Sequence, residues 1–495
     1  MSLDNRKSLE PYLKDEVKFY EHQVTGIRKL ARMHNFLLAD DMGLGKSLQA
    51  LTVATIDVKR GWAGKIIIVC PVTLRGNWAD EIEKFTSFKY LLLGEAINAE
   101  GKTKKLGPAA REEQLAEFAL WDEPKILICN YEQVVSHVTE LNRMAFDIAI
   151  YDEAHYIKNH KSKRTKAAQQ LHTTRSFLLT GTPMLNQVNE LWSILHKIDP
   201  AAYPKYWSFV NRYCVFGGYK DKQIVGAKNE KELTHRLNEV MVRRMKKDVL
   251  DLPDIQIIPR RVDLSDEQRK LYDKANEELV IEMSGLSDPS EIENALTKFL
   301  RLKQICGTTL PFTGEDVSSK LDLAIEDVIE VMSNGHKVVV FTQFRDVLEA
   351  FCQRLEKHGK AHPAEDFDVW ELHGDVPTDK RMPLVREWTD HREAGALACM
   401  LQISGLGLNM TASSHAFFLD KLFVPGLNQQ AIDRLHRIGA SATQPVQVHE
   451  YICRKTIENR VEQILNLKRK TFDSIVNEND FKRRLIAALI ERDDE

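Results

Sequence analysis

The chain lacks most of the features that would classify it at a glance. No apolar run approaches the ~20 residues needed to cross a bilayer. The opening residues, MSLDNRKSLE, hold no apolar core, which argues against a secretory leader. Seven cysteines (Cys70, Cys129, Cys214, Cys306, Cys352, Cys399 and Cys453) are scattered, odd in number and without a CxxC pair. Neither a disulfide framework nor a zinc site is therefore expected, and a reducing compartment is. There is no short tandem repeat and no low-complexity segment. An excess of one charge is missing too: 69 Lys and Arg face 72 Asp and Glu, a net charge of −3. A near-neutral chain can still carry a basic groove, so this balance decides nothing about partners.

What remains is an ordinary globular composition, 43% hydrophobic and 28% charged. At 495 residues the chain is too long for one hydrophobic core. Short apolar runs look like buried parallel strands: NFLLAD (35–40), KIIIVCP (65–71), KILICN (125–130), FDIAIYDE (146–153) and RSFLLTGT (175–182). Helical stretches such as 45–58 and 78–86 separate them. This alternation predicts a parallel sheet covered by helices, with ligands beyond the carboxyl ends of its strands. Residues 186–320 read as mostly helical, and a second alternating block follows. Its strands are expected in KVVVFTQF (337–344), DFDVWELHG (366–374), ALACMLQI (396–403), HAFFLD (415–420) and PVQVHEYI (445–452). The fold class is thus α/β, with two parallel-sheet lobes and helical insertions at their junction. Lobe one is expected over 1–252, with a helical protrusion at about 190–240. Lobe two is expected over 253–480, with a helical insertion at about 264–318, and a tail follows at 481–495. Pro253 in DLPD (251–254) is the expected hinge.

The stretch ADDMGLGKS (39–47) has the strand–turn–helix context of a phosphate loop. Gly43 and Gly45 let the backbone approach an anion, Lys46 would reach the β- and γ-phosphates, and Ser47 would ligate magnesium. Yet the pattern GxxxxGK[ST] asks for glycine where Asp40 stands. Alone, the string also fits a helix start with a solvated lysine. In IAIYDEAH a strand ends on Asp152 and Glu153. One carboxylate there can hold Mg²⁺ and its neighbour can position an attacking water. In QQAIDRLHRIG (429–439), Arg434 and Arg437 fall three apart on one face of an expected helix, with Gln430 one turn earlier. Such arginines stabilise charge on a transferring phosphoryl group.

Taken together these strings resemble the Swi/Snf family of DNA-dependent ATPases in helicase superfamily two. The resemblance runs in order from about Tyr20 to about Lys468 and is that of a compact, single-motor member. FYEHQVTGI (19–27) is similar to the adenine-reading segment, with Gln23 as the base contact. ADDMGLGKS is similar to the family's first motif, in which an acidic residue often replaces the first glycine. VCPVTLRGNW (69–78) and LTGTPMLNQVNELWSIL (179–195) are similar to the DNA-contacting and coupling motifs of lobe one. VRRMKKDVLDLP (242–253) resembles a stretch of Swi/Snf proteins rather than of helicases at large. The resemblance departs at ISGLG (403–407), where a fuller STRAGGLG is usual, and at Phe423, where tryptophan is common.

The family likeness implies two RecA-like lobes with ATP and Mg²⁺ between them. Gln23, Met42, Gly43, Leu44, Gly45, Lys46, Ser47 and Gln430 would bind the nucleotide, Ser47 and Asp152 the metal. Lys46, Asp152, Glu153, Arg434 and Arg437 would carry the catalysis, and His155 would link that site to Gly181–Thr182. Thr73, Asn130, Gln343, His373, Gly374, Ser404 and Gly405 match DNA-backbone positions, and each also suits an ordinary loop cap. The basic run IKNHKSKRTK (157–166) suits phosphate contacts. Tyr203, Tyr206, Trp207, Phe209 and Tyr213 could stack on bases, although packing within the protrusion suits them better. The expected partner is duplex DNA, with no membrane and a monomeric chain. The expected location is cytoplasmic and nucleoid-associated in a prokaryote or virus, nuclear in a eukaryote. An RNA- or single-strand-acting helicase and a nucleotide-switched DNA-binding module remain as alternatives.

Overall fold

The structure, a computed structural model, describes residues 12–14, 17–97, 103–122, 124–181, 188–217, 223–250, 254–283, 289–365, 367–404, 408–422, 425–436, 445–460 and 462. The chain divides into two compact units, Met1–Asp251 and Leu252–Glu495.

The first unit is built on seven parallel strands: β1 (Phe36–Leu38), β2 (Lys65–Cys70), β3 (Lys89–Leu92), β4 (Lys125–Asn130), β5 (Ile148–Tyr151), β6 (Arg175–Leu179) and β7 (Met241–Val242). Their order across the sheet is β7-β1-β6-β5-β2-β4-β3. The apolar runs are continuous because both faces of the sheet are covered. Phe36, Leu38, Ile66, Ile68, Ile128 and Phe177 point to one face, where Ile27, Leu51, Trp78 and Ile82 pack. Leu37, Ile67, Val69, Leu127, Tyr151 and Leu178 point to the other, against Val134, Leu141, Leu171 and Ile194. The first face carries α1 (Glu21–Leu30), α2 (Lys46–Lys59) and α3 (Arg75–Phe85), and the second carries α4 (Tyr131–Arg143).

The second unit repeats the design with six parallel strands: β8 (Ile255–Val262), β9 (Val338–Thr342), β10 (Asp368–Leu372), β11 (Gly395–Met400), β12 (His415–Phe418) and β13 (Val446–Cys453). Their order is β8-β13-β12-β9-β11-β10. Val338, Val340, Ala396 and Phe417 pack on one face, and Val339, Phe341, Leu397 and Phe418 on the other, with Trp388.

The stretch 186–320 is mostly helical among the described residues, as expected, though not wholly so. It holds helices at Leu191–Ile198, Tyr206–Tyr213, Glu230–Val240, Asp266–Met283 and Pro289–Gly307. It also holds an antiparallel hairpin, Cys214–Gly217 with Gln223–Ala227, and the strands β7 and β8. β8 escapes a sequence reading because Pro259 lies inside it. The strand is at the sheet edge, where a missing N–H costs no ladder bond on the open side. The short β3 is likewise an edge strand. The run ALACMLQI is strand only to Met400, and Leu401–Ser404 is helical. Pro253 and the tail at 481–495 lie outside the described residues. Among the described residues no helix is long and apolar enough to cross a membrane.

All seven cysteines are buried and free of disulfides. Cys306, Cys453 and Glu458 come within metal-ligand spacing of one another. The Glu458 carboxylate is, however, taken by the buried Lys320 ammonium, at 2.6 and 2.8 Å.

Candidate nucleotide site

In the first unit the candidate residues gather beyond the carboxyl ends of β1, β5 and β6. β1 runs into the loop 39–45, where Gly43 and Gly45 have φ of 81° and 74°. These are left-handed values that a side chain would strain. Gly45 is the N-cap of α2, so the first amides of that helix open at the loop. A Cβ on Gly45 would stand 2.4 Å from Nε2 of Gln23. Gln23 is buried; its Nε2 donates to the Leu44 carbonyl at 3.2 Å, and its Oε1 accepts from the Tyr20 amide at 3.0 Å. The expected base contact thus braces the loop.

Lys46 Nζ donates to the carbonyls of Asp40 and Asp41, at 2.9 and 3.2 Å. An ammonium has three donors, so the third suits a phosphate oxygen. Gly181, just after β6, approaches closely: a Cβ there would lie 2.9 Å from Met42 Cγ and 3.7 Å from Lys46 Nζ. Met42 and Leu44 are themselves buried. Asp40 is fully buried and paired with Arg244.

Asp152 follows the end of β5. Its Oδ1 accepts the Glu153 amide at 2.9 Å and its Oδ2 accepts Nε1 of Trp78 at 2.8 Å. Each oxygen keeps a second lone pair, which fits a metal ion or its water. Tyr131 donates its hydroxyl to the Asp152 carbonyl at 2.7 Å. Burial, and then the Glu153 charge, push the Asp152 carboxyl up to about 6, while the Trp78 N–H and the Lys46 ammonium oppose the shift. Glu153 is left-handed at φ 49°, a conformation that L side chains rarely adopt and that clusters at functional sites. Its Oε2 lies 3.1 Å from Nδ1 of His155, so His155 sits beside Glu153. Thr182, the other end of its expected link, lies outside the described residues.

Sequence reasoning missed Trp78 and Tyr131. Trp78 lay inside a string already singled out, but nothing in its spacing ties an indole in α3 to a carboxylate after β5.

The candidate DNA-backbone positions divide. The Thr73 hydroxyl has no hydrogen-bond partner among the described residues. Asn130 caps α4, its Oδ1 accepting the Gln133 amide at 2.8 Å. In the basic run Lys158 pairs with Glu190 at 2.9 Å, and Arg164 pairs with Glu132. A cavity of about 500 Å³ is lined there by His155, Tyr156, Lys158, Asn159, Ser162, Lys163 and Arg164. Tyr203, Phe209 and Tyr213 are buried in the protrusion, and Tyr206 stacks on His160 at 3.6 Å. Trp207 is 63% exposed.

In the second unit, the helix expected over 429–439 ends early. It spans Pro425–Ile432, and Arg434 lies in the turn beyond it. The cause is tertiary: the Arg434 carbonyl accepts the Met410 amide at 3.1 Å, and the Arg434 amide turns back to Ala431 at 3.2 Å. Arg434 and Gln430 are buried. Arg437 lies outside the described residues, as does Gly405. Ser404 closes its short helix. Gln343 Nε2 donates to Asp420 at 2.6 Å, so its amide is committed within the unit. His373 lies with Nδ1 3.7 Å from Asp375, and Gly374 is exposed.

Residues 20–309 match the SNF2-related domain and residues 321–439 the helicase conserved C-terminal domain. The chain is similar to an uncharacterized ATP-dependent helicase of Mycoplasma genitalium, 30% identical over 95% of this chain and 42% of that protein. It is also similar to the mouse DNA annealing helicase and endonuclease ZRANB3, 27% identical over 95% of this chain and 41% of that protein. The chain therefore spans less than half the length of these two relatives. Among solved structures, the Sulfolobus solfataricus SWI2/SNF2 ATPase core in complex with dsDNA is 25% identical, covers 92% of each chain and has a TM-score of 0.41. Because the SNF2-related match takes in more than half of the residues and the helicase match follows it in order, the chain belongs to the SNF2-related family.

Proposed function

We propose that the chain hydrolyses ATP in response to duplex DNA and uses the turnover to move along the duplex, remodelling or reannealing it or displacing bound proteins. The observation that carries this reading is the gathering of Lys46, Asp152 and Glu153 around a left-handed glycine loop, beyond the carboxyl ends of one parallel sheet. Relatives named as ATP-dependent helicases support it.

In this reading the loop amides and the third donor of Lys46 grip the β- and γ-phosphates. Gln23 and Gln430 border the nucleotide. Ser47 and Asp152 hold magnesium, which when bound neutralises phosphate charge. Glu153 orients the attacking water, fixed by its left-handed backbone and His155. Arg434 and Arg437 of the second unit stabilise charge on the transferring phosphoryl group. Thr73, His373, Gly374, Ser404 and Gly405 contact the DNA backbone.

ATP turnover measured with duplex DNA, single-stranded DNA, RNA and no nucleic acid tests the proposal. Duplex DNA is expected to stimulate most, and Glu153→Gln to lower turnover about 10²–10⁴-fold while nucleotide still binds. Stronger stimulation by RNA would replace the reading with a helicase of other specificity. Absence of turnover at saturating DNA would leave a nucleotide switch. Displacement of a third strand from a triplex then tests movement.

A further inference from the structure

Asp40 stands where the phosphate-loop pattern has glycine, and it is fully buried. A buried carboxylate is costly unless it is paired and hydrogen-bonded. Arg244 supplies the pair: its Nε donates to Oδ1 at 3.0 Å and its Nη2 to Oδ2. The same Nη2 reaches Oε1 of Gln49 at 2.7 Å, and Nη1 donates to the His22 carbonyl. Gln49 in turn donates to Asp40 at 3.1 Å and to the Leu44 carbonyl at 3.3 Å. One guanidinium therefore joins the loop, α2 and α1.

The backbone repeats the connection. β7 pairs in parallel with β1, Leu37 opposite Met241 and Leu38 opposite Val242. The Ala39 amide donates to the Val242 carbonyl at 2.7 Å and the Asp41 amide to the Arg244 carbonyl at 3.0 Å. The Lys246 amide donates to Oδ2 of Asp41 at 3.0 Å. The two residues held this way, Asp40 and Asp41, are those whose carbonyls receive Lys46 Nζ. Gly26 permits the arrangement, since a Cβ there would lie 2.3 Å from Gln49 Oε1 and 2.6 Å from Arg244 Nη2.

We propose that Arg244 is a positioning residue for the nucleotide loop, setting through Asp40 and Gln49 where the Lys46 ammonium stands. The inference rests on the proposed ATP site and adds a residue outside it. Because the loop and Lys46 grip the phosphates in the ground state as well as in the transition state, displacing them raises KM for ATP by more than it lowers kcat.

The test uses the full chain. Arg244→Gln alone would strand the buried Asp40 charge and risk unfolding, so the neutral pair Asp40→Asn with Arg244→Gln is compared with Arg244→Lys. Lysine keeps the charge opposite Asp40 but cannot supply the fork to Gln49 and His22. The neutral pair is expected to unfold near the wild-type temperature yet, with the four bonds of the guanidinium gone, to raise KM for ATP about tenfold. Arg244→Lys is expected to move KM the same way by less, and binding of a fluorescent ATP analogue should follow KM. A neutral pair with wild-type KM, or with only a lowered melting temperature, overturns the inference while the ATP site stands. A wild-type chain that binds no ATP overturns both.

Discussion

The two units share one plan, a parallel sheet with helices on both faces, but they use the carboxyl ends of their strands differently. In the first unit the groups there keep bonding capacity. Lys46 has a donor to spare and Asp152 a lone pair on each oxygen. In the second unit the described groups around Asp420 are spent internally. Asp420 accepts from the Thr342 hydroxyl and from the amide and side chain of Gln343. Lys303 reaches the Lys421 carbonyl, and Lys320 bridges Glu458 and the Leu419 carbonyl at 2.9 Å. A saturated network of this kind fixes a shape, and an unsaturated one can take a ligand. The first unit thus leaves groups open to a ligand, and the buried network around Asp420 fixes the shape of the second.

The sharpest way to break this contrast is Lys320→Met. It leaves Glu458 as a buried, unpaired carboxylate and should cost about 3–5 kcal/mol, read by urea unfolding. The loss should fall on the second unit alone, and adding Glu458→Leu should restore much of it. An unchanged midpoint would show that the network is not what holds that unit.

Acidification should also weaken the second unit. Burial, and then the neighbouring charges of His336 and His449, hold His415 down at about 4. The unfolded chain takes up this proton near 6.5 and the folded one only near 4, so stability is full above 6.5 and falls as pH drops between the two. After allowance for solvent screening the loss is about 1–2 kcal/mol. Melting temperatures from pH 7 to 4.5 check it, and His415→Phe should flatten that slope.

The mildest change is Asn130→Ala. Loss of the α4 cap should cost about 1 kcal/mol in the first unit and leave DNA affinity unchanged. A drop in affinity without a drop in stability would return Asn130 to the DNA interface.

Central strands were legible in the sequence because a strand buried on both faces must be apolar throughout. Three of the four edges were not: β3 is four residues long, β7 two, and β8 contains a proline, whereas the edge strand β10 was expected in DFDVWELHG. The loop, Lys46 and the Asp152–Glu153 pair were legible as local strings. Asp40 stood out as an anomaly, but its partner lies 204 residues away, beyond any local pattern. The turn at Arg434 was hidden for the same reason. The helical periodicity of QQAIDRLHRIG is real, and a hydrogen bond from Met410 overrides it.

The burial of every native thiol has a practical consequence. Burial pushes most of them up, Cys129 to about 12 and Cys214 to about 11, so little reactive thiolate forms near neutral pH. A cysteine engineered at an exposed position on each unit would take a fluorophore while the native seven stay silent. Energy transfer between two such dyes would then report, in the otherwise unaltered chain, how the distance between the units follows nucleotide and DNA.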